Sequence, residues 1–498
     1  MEKPPLLIIL LFVLALSNCI RTPEEYSESD NPICIEPDYD SVVVPPNIAP
    51  LNFTIRTDAD RYRVIFRSGE KDFCITSRNG MIRIPARKWK ALTSARSDSY
   101  SMEFYLHNNN EWNRYPGIQN YIADENIDPY LTYRKLDPVF AMWNDLSIQQ
   151  RDLRSFKEKT ILESGKLEGN CMNCHSYCRN NSDKGIIHIR GSLGGSILIN
   201  EGIARKVNLK ADFMENGATY PAWHPCGDFI AFSSNNVDNA IYSANSLRKI
   251  EVFDQEADLV VWDIEKNEVF THDSVFNTMF MESYPCWDAA GEYLYYCRVR
   301  DYTGGMTYMY DSSLFEHIDQ DIRYDLMRIK CDPEKREWGD PEYVIRASEA
   351  GKSILFPRIS PDGRYMIVCM TDFGSFPAWH PESDLFILDL NTFEYQALKL
   401  NSRQSESWHS WSSEGRWIVF SSRAWDGVHT APWIAYINED ASCSKPMILP
   451  QKHPDHYNRH IRIYNLPELT KSPFNTTARQ VYSVAHELNA PAVDGSEF

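Results

Sequence analysis

The chain has 498 residues, enough for about three domains at roughly 150 residues each. Hydrophobic residues make up 43%, aromatic residues 13% and charged residues 24%, which excludes global disorder. With 51 Lys and Arg against 69 Asp and Glu the net charge is -18, which repels phosphate backbones and argues against nucleic acid as a partner.

Lys3 is followed by an apolar run from Leu6 to Leu16 and then by Ser17-Asn18-Cys19. That run is too short for the ~20 residues a membrane span needs, so it reads as an export signal. Leu16-Ser17-Asn18-Cys19 resembles the lipobox of bacterial lipoproteins, which implies loss of residues 1–18 and lipidation of Cys19. The alternative is an ordinary signal peptide in which Cys19 is incidental. Lipidation would place the protein in a bacterial cell envelope, on the periplasmic face or at the outer membrane, with the membrane touched through the anchor alone. Residues 19–48 are acidic and Pro-rich, with Glu24, Glu25, Glu28, Asp30 and Pro45-Pro46, and read as a tether. Glu24 and Glu25 resemble the acidic export tags of surface lipoproteins.

From 49 to 130 the hydrophobic period is two, in Leu51–Ile55, Tyr62–Phe66, Phe73–Thr76, Met81–Ile84 and Met102–Leu106. A β-sandwich of immunoglobulin-like type fits this spacing. Residues 131–185 read as a linker. Within it Val139, Trp143, Leu146, Leu153 and Phe156 stand at helix-like intervals and predict one or two helices over 139–162.

From 186 to 450 the chain repeats itself. Pro221–Phe232, Pro285–Tyr296, Pro357–Val368 and His409–Phe420 share one grammar: a strand, a turn centred on Gly227, Gly291, Gly363 or Gly415, and a second apolar strand. These segments resemble the TolB-type, WD40-like repeat. That resemblance implies a β-propeller of about six blades, and a mainly β fold overall. Ile186–Gly191 and Ser196–Ile199 would supply part of a further blade, leaving 451–498 as a C-terminal extension. His409, Arg416, Arg423 and Asp426 could line a propeller mouth, or could serve hydrogen bonding between blades.

Between the two β regions stands Cys171-Met172-Asn173-Cys174-His175, a C-x-x-C-H motif. The thiols of Cys171 and Cys174 can add to the vinyl groups of haem while His175 takes the iron as proximal ligand, giving one covalently held haem c. Export supplies the compartment such attachment requires. His188 and Met214 are the candidates for the sixth iron position. Two other readings stay open: a metal site completed by Cys178 and His188, or a C-x-x-C redox pair. Of the remaining cysteines, Cys34 with Cys74 and Cys226 with Cys286 are candidate disulfides, while Cys297 and Cys369 lie in apolar runs and read as core filler.

Lipobox, sandwich, C-x-x-C-H and repeats together resemble a family of Bacteroidetes lipoproteins with TolB-type repeats and a c-type haem motif. Two functions follow. In one the protein is a monohaem electron carrier whose propeller docks a redox partner. In the other the propeller itself binds a protein, peptide or glycan, and C-x-x-C-H is structural or holds a metal. No H-E-x-x-H, phosphate-binding Gly-Lys loop or G-x-S-x-G elbow suggests hydrolase or transferase chemistry.

Overall fold

A computed structural model describes residues 22–95, 97–137, 145–241, 250–303, 321–488 and 490–496. The signal segment with Cys19 lies outside the described residues, as do Val139 and Trp143. The chain is mainly β and divides into two units, Met1–Asn126 with Pro450–Arg459, and Ile127–Leu449 with His460–Phe498.

In the first unit a six-stranded sheet runs in the order Ser27–Glu28, Glu111–Ile122, Ser99–Asn108, Arg61–Ser68 and Lys71–Ser77, with Val43–Val44 also paired to Glu111–Ile122. Arg61–Ser68 shows why: Tyr62, Val64 and Phe66 are buried on one face while Arg63 and Arg67 alternate with them. Ile35–Glu36, Phe53–Ile55 and Met81–Ile82 form a three-stranded sheet. The helix Ala86–Thr93 buries Trp89 and Leu92, and the Trp89 indole donates to the Ile48 carbonyl at 2.9 Å. The expected tether is therefore corrected over much of its length. Tyr39, Val42, Val44 and Ile48 are buried, because the apolar residues among the prolines have a core to enter.

The second unit holds six sheets of four or five strands. Five begin with the strands Cys171–Tyr177, Ala218–Trp223, Phe280–Trp287, Ser353–Ile359 and Glu406–Trp411, each followed by its neighbours in antiparallel order. The remaining sheet is assembled from both ends of the unit: Glu158–Glu163, Ser147–Asp152 and Tyr130–Leu136 are completed by Ile463–Thr470. The strands 171–177, 218–223, 280–287, 353–359, 406–411 and 463–470 pack each on the next, and the last returns to the first, so these inner strands close a ring. The four turn glycines of the repeats all take positive φ, between 68 and 83°.

Three expectations are corrected here. The helices over 139–162 are replaced, in the described part, by the strands Ser147–Asp152 and Glu158–Glu163. Their pattern conceals them because Ile148, Gln149, Gln150 and Arg151 are all buried, the polar ones held by hydrogen bonds such as Gln150 Nε2 to Thr470 Oγ1 at 3.2 Å. The linker 131–185 thus belongs to the ring, whose unit starts near residue 127 rather than 186. Nor is 451–498 an appendage: Ile463–Thr470 completes a sheet, the helix Ala478–Ala485 buries Val481 and Ala485, and Asp494–Ser496 pairs in parallel with Glu268–Phe270.

Candidate functional site: a cup on the ring axis

Every inner strand carries a register shift against its neighbour. At each shift one residue sits in the left-handed region: Cys174 (φ 42°), Tyr220 (50°), Tyr284 (56°), Phe356 (54°), Trp408 (47°) and Leu466 (50°). The residue that follows is His175, Pro221, Pro285, Pro357, His409 or Pro467. A bulge leaves a backbone N–H outside the ladder, so proline, which has none, is tolerated there. Cys174-His175 is thus one of six equivalent positions, occupying the place that Tyr220-Pro221 takes in the next sheet.

Four bulge side chains contact in series around the axis, with ring centroids 4.6 Å apart and tilted for Tyr220 and Tyr284, 4.5 Å and edge-to-face for Tyr284 and Phe356, and 4.1 Å and stacked for Phe356 and Trp408. Two residues further along come Ser176, Ala222, Cys286, Arg358, Ser410 and Glu468. All six line a cavity of about 240 Å³. Around it the Trp223 indole donates to the Ser176 carbonyl at 3.3 Å and the Trp411 indole to the Arg358 carbonyl at 3.0 Å, tying neighbouring sheets together.

The electrostatics of the cup centre on Arg358 and Glu468. Burial pushes the Glu468 carboxyl up to about 8, against the Tyr177 N–H that donates to its Oε1 at 2.9 Å and the nearby Arg358 charge. At neutral pH Glu468 is therefore mostly protonated. The Arg358 Nη1 donates to the Pro357 carbonyl at 2.9 Å, and no ion pair to Arg358 is formed among the described residues. His409 also borders the cup, donating through Nε2 to the Ile367 carbonyl at 2.8 Å, and burial lowers it to about 3. The other three residues of its sequence cluster lie elsewhere: Arg416 pairs with Glu439 at 2.7 Å, Arg423 packs over Trp379 at 4.9 Å, and Asp426 pairs with His429 at 2.6 Å.

The C-x-x-C-H residues do not fit haem c in this setting. Cys171–Tyr177 is a strand, and its register puts Cys171 and Ser176 on one face and Met172, His175 and Tyr177 on the other. The His175 side chain is 1% exposed, borders the cup and packs beside Tyr177 with the ring centroids 5.9 Å apart. Both of its ring nitrogens are buried without a hydrogen-bond partner among the described residues; the Thr132 and Leu466 carbonyls lie near them, and Glu468 Oε2 is 4.0 Å from Nε2. Burial and the Arg134 charge lower His175 to about 3, so the imidazole is neutral. The adjoining cup falls below the roughly 300–1,000 Å³ that organic ligands commonly fill. His188 and Met214 cannot supply the sixth position. His188 pairs opposite residue 173, on the face away from His175, with Nδ1 at 3.1 Å from Ser196 Oγ, and Met214 packs on that same far side with Ile186 and Leu198.

Among the described residues no three His, Cys, Asp or Glu side chains converge as a metal site requires. All eleven described cysteines are free thiols, so the pairs 34/74 and 226/286 are not formed. Cys226 is held on a turn by His224 Nδ1 at 2.9 Å, whereas Cys286 belongs to the cup.

No family model and no curated protein matches the chain. Among solved structures, TolB from Acinetobacter baumannii is similar over 77% of this chain and 85% of its own, with 12% identity and a TM-score of 0.42. Prolyl oligopeptidase B from Galerina marginata, bound to a 35mer hydrolysis and macrocyclization substrate, is similar over 70% of this chain and 42% of its own, with 9% identity and a TM-score of 0.34. An ancestral GH74 enzyme is similar over 84% and 62%, with 9% identity and a TM-score of 0.21. The architecture stands on its strand order and on the ring of inner strands rather than on these likenesses.

Proposed function

We propose that the second unit is a six-bladed propeller of TolB type and that the protein is a binding lipoprotein. Its axial cup receives an acidic group from a peptide or protein partner. The observation that carries this reading is Arg358, a cation lining a concave site with no carboxylate ion-paired to it, beside a Glu468 that burial keeps protonated. A volume of about 240 Å³ admits one side chain or a chain end and not a folded domain. A charge-assisted bond to Arg358 contributes about 1.5–3 kcal/mol. Tryptophan fluorescence reports on the cup through Trp223, Trp287 and Trp411. Acidic peptides should change that emission, and Arg358→Ala should weaken them at least about 10-fold. Equal affinity in wild type and variant would sink the proposal.

The anchor is the second part of the reading, supported by the apolar run from Leu6 to Leu16 and the cysteine that follows. Metabolic labelling with a fatty acid should mark the full chain and leave Cys19→Ala unmarked. Label on both proteins would remove the lipid from the account.

A further inference from the structure

A second cavity, of about 570 Å³, opens in the ring unit between the sheet that begins at Cys171 and the sheet that begins at Ala218. Its walls come from the end of Lys184–Arg190, the glycine-rich loop Gly191–Gly195, the segment Asn208–Lys210, Asn216-Gly217 and the long strand Phe229–Ile241. Although acids outnumber bases 69 to 51 in this chain, no Asp or Glu lines the cavity among the described residues. Arg190 and Lys210 do line it, with the carboxamides of Asn208 and Asn216.

All but one of these groups are available, the exception being Asn216, whose Nδ2 donates to Glu256 Oε2 at 3.1 Å. Arg190, Lys210 and the Asn208 carboxamide form no side-chain hydrogen bond or ion pair among the described residues. His188 also lines the cavity, with Nδ1 at 3.1 Å from Ser196 Oγ, and burial together with the Arg190 charge lowers it to about 3, so the ring is neutral. The glycine loop removes side chains from one wall, so that backbone amides can come close to a ligand. A third cavity, of about 590 Å³, shares Asn216 and Asn236 with this one and is lined by Glu215, Glu256, Asp258, Asp273 and Asp301. The two spaces therefore differ sharply in charge.

We infer that the 570 Å³ cavity binds a small polyhydroxylated anion, a sugar bearing a carboxylate or a phosphate. Arg190 supplies a planar fork for the oxyanion and Lys210 a second positive charge. The Asn208 carboxamide, which both donates and accepts, suits a hydroxyl group. The size lies inside the range of pockets that enclose small organic ligands. This site is separate from the axial cup, and neither proposal depends on the other.

Gly217 offers a direct test, since a Cβ built there meets nothing within 4 Å and its φ lies outside the left-handed region. Gly217→Phe should fill the cavity without straining the backbone, and Arg190→Gln should remove the charge without emptying it. The probes are galacturonate, glucose 6-phosphate and the neutral sugars galactose and glucose, read by the melting temperature of the whole protein. At saturating probe the charged sugars should raise it by at least about 2 °C in wild type, with no change from the neutral ones. Both variants should melt like wild type without probe and lose the shift, while Arg358→Ala keeps it. A shift from only one charged sugar would assign the oxyanion as carboxylate or phosphate. No shift with either, an equal shift with neutral sugars, or a shift retained in both variants would overturn the inference.

Discussion

Truncation after Arg459 is expected to abolish cooperative folding of the ring unit. The strand Ile463–Thr470 pairs with Tyr130–Leu136 and contacts the inner strands on either side of it, so its removal opens the ring and exposes one edge of Tyr130–Leu136. Ile463, Tyr464 and Leu469 are buried, and the residues beyond them add Phe474, Val481 and Ala485. At about 1.5–3 kcal/mol for each large side chain, the loss rivals the whole 5–15 kcal/mol stability of a typical domain. The truncated chain should be insoluble or melt without a cooperative transition, as followed by circular dichroism. A sharp transition at the wild-type temperature would show that the strand does not hold the ring.

His380→Leu should destabilise the ring unit by about 3–5 kcal/mol at pH 6. His380 and Glu251 both have fully buried side chains, with Nε2 and Oε2 2.5 Å apart, and His380 Nδ1 lies 2.9 Å from Glu382 Oε1. Burial opposes the imidazolium, but the two carboxylates outweigh it and lift His380 to about 9. The substitution strands Glu251 in the core without its cation. The pH dependence has a definite sign: a raised histidine contributes stability that is full below its unfolded value near 6.5 and disappears as pH climbs through about 9. Urea titrations should therefore show a wide gap between wild type and variant at pH 6 and a narrow one at pH 10. The double change His380→Leu/Glu251→Leu should recover much of the loss. Equal stability of wild type and His380→Leu at pH 6 would refute this account.

Much of the ring unit can be read from the chain because its repeats align on hairpin glycines. Pro221, Pro285, Pro357 and His409 begin those repeats and are also the residues that follow the bulges. Two further copies escaped. In the one at His175 the turn is built by Cys178–Asn180, with Arg179 and Asn180 in the left-handed region, so no glycine signals it. The copy at Pro467 has its hairpin partner at the other end of the unit, so no local strand pair exists to be found. The cup residues were invisible for a related reason. Ser176, Ala222, Cys286, Arg358, Ser410 and Glu468 share a position and no chemistry, so only the phase of the bulges groups them. Ser147–Asp152 was misread because buried Gln149, Gln150 and Arg151 erase the alternation that normally reveals a strand.

The pairing of Tyr130 with Thr470 also decides when this protein can fold. Contacts so remote in sequence delay the rate-limiting step, because the entropy of closing the loop is lost before the contact returns anything. Sheets built from consecutive strands can form as they emerge, but the ring has to wait until Ile463–Thr470 is made. Until then the chain carries an open strand edge, and a second growing copy could pair with it as readily as its own terminus. For a chain that stays unlatched until Thr470 is made, the yield of folded protein should depend on how well that interval is chaperoned.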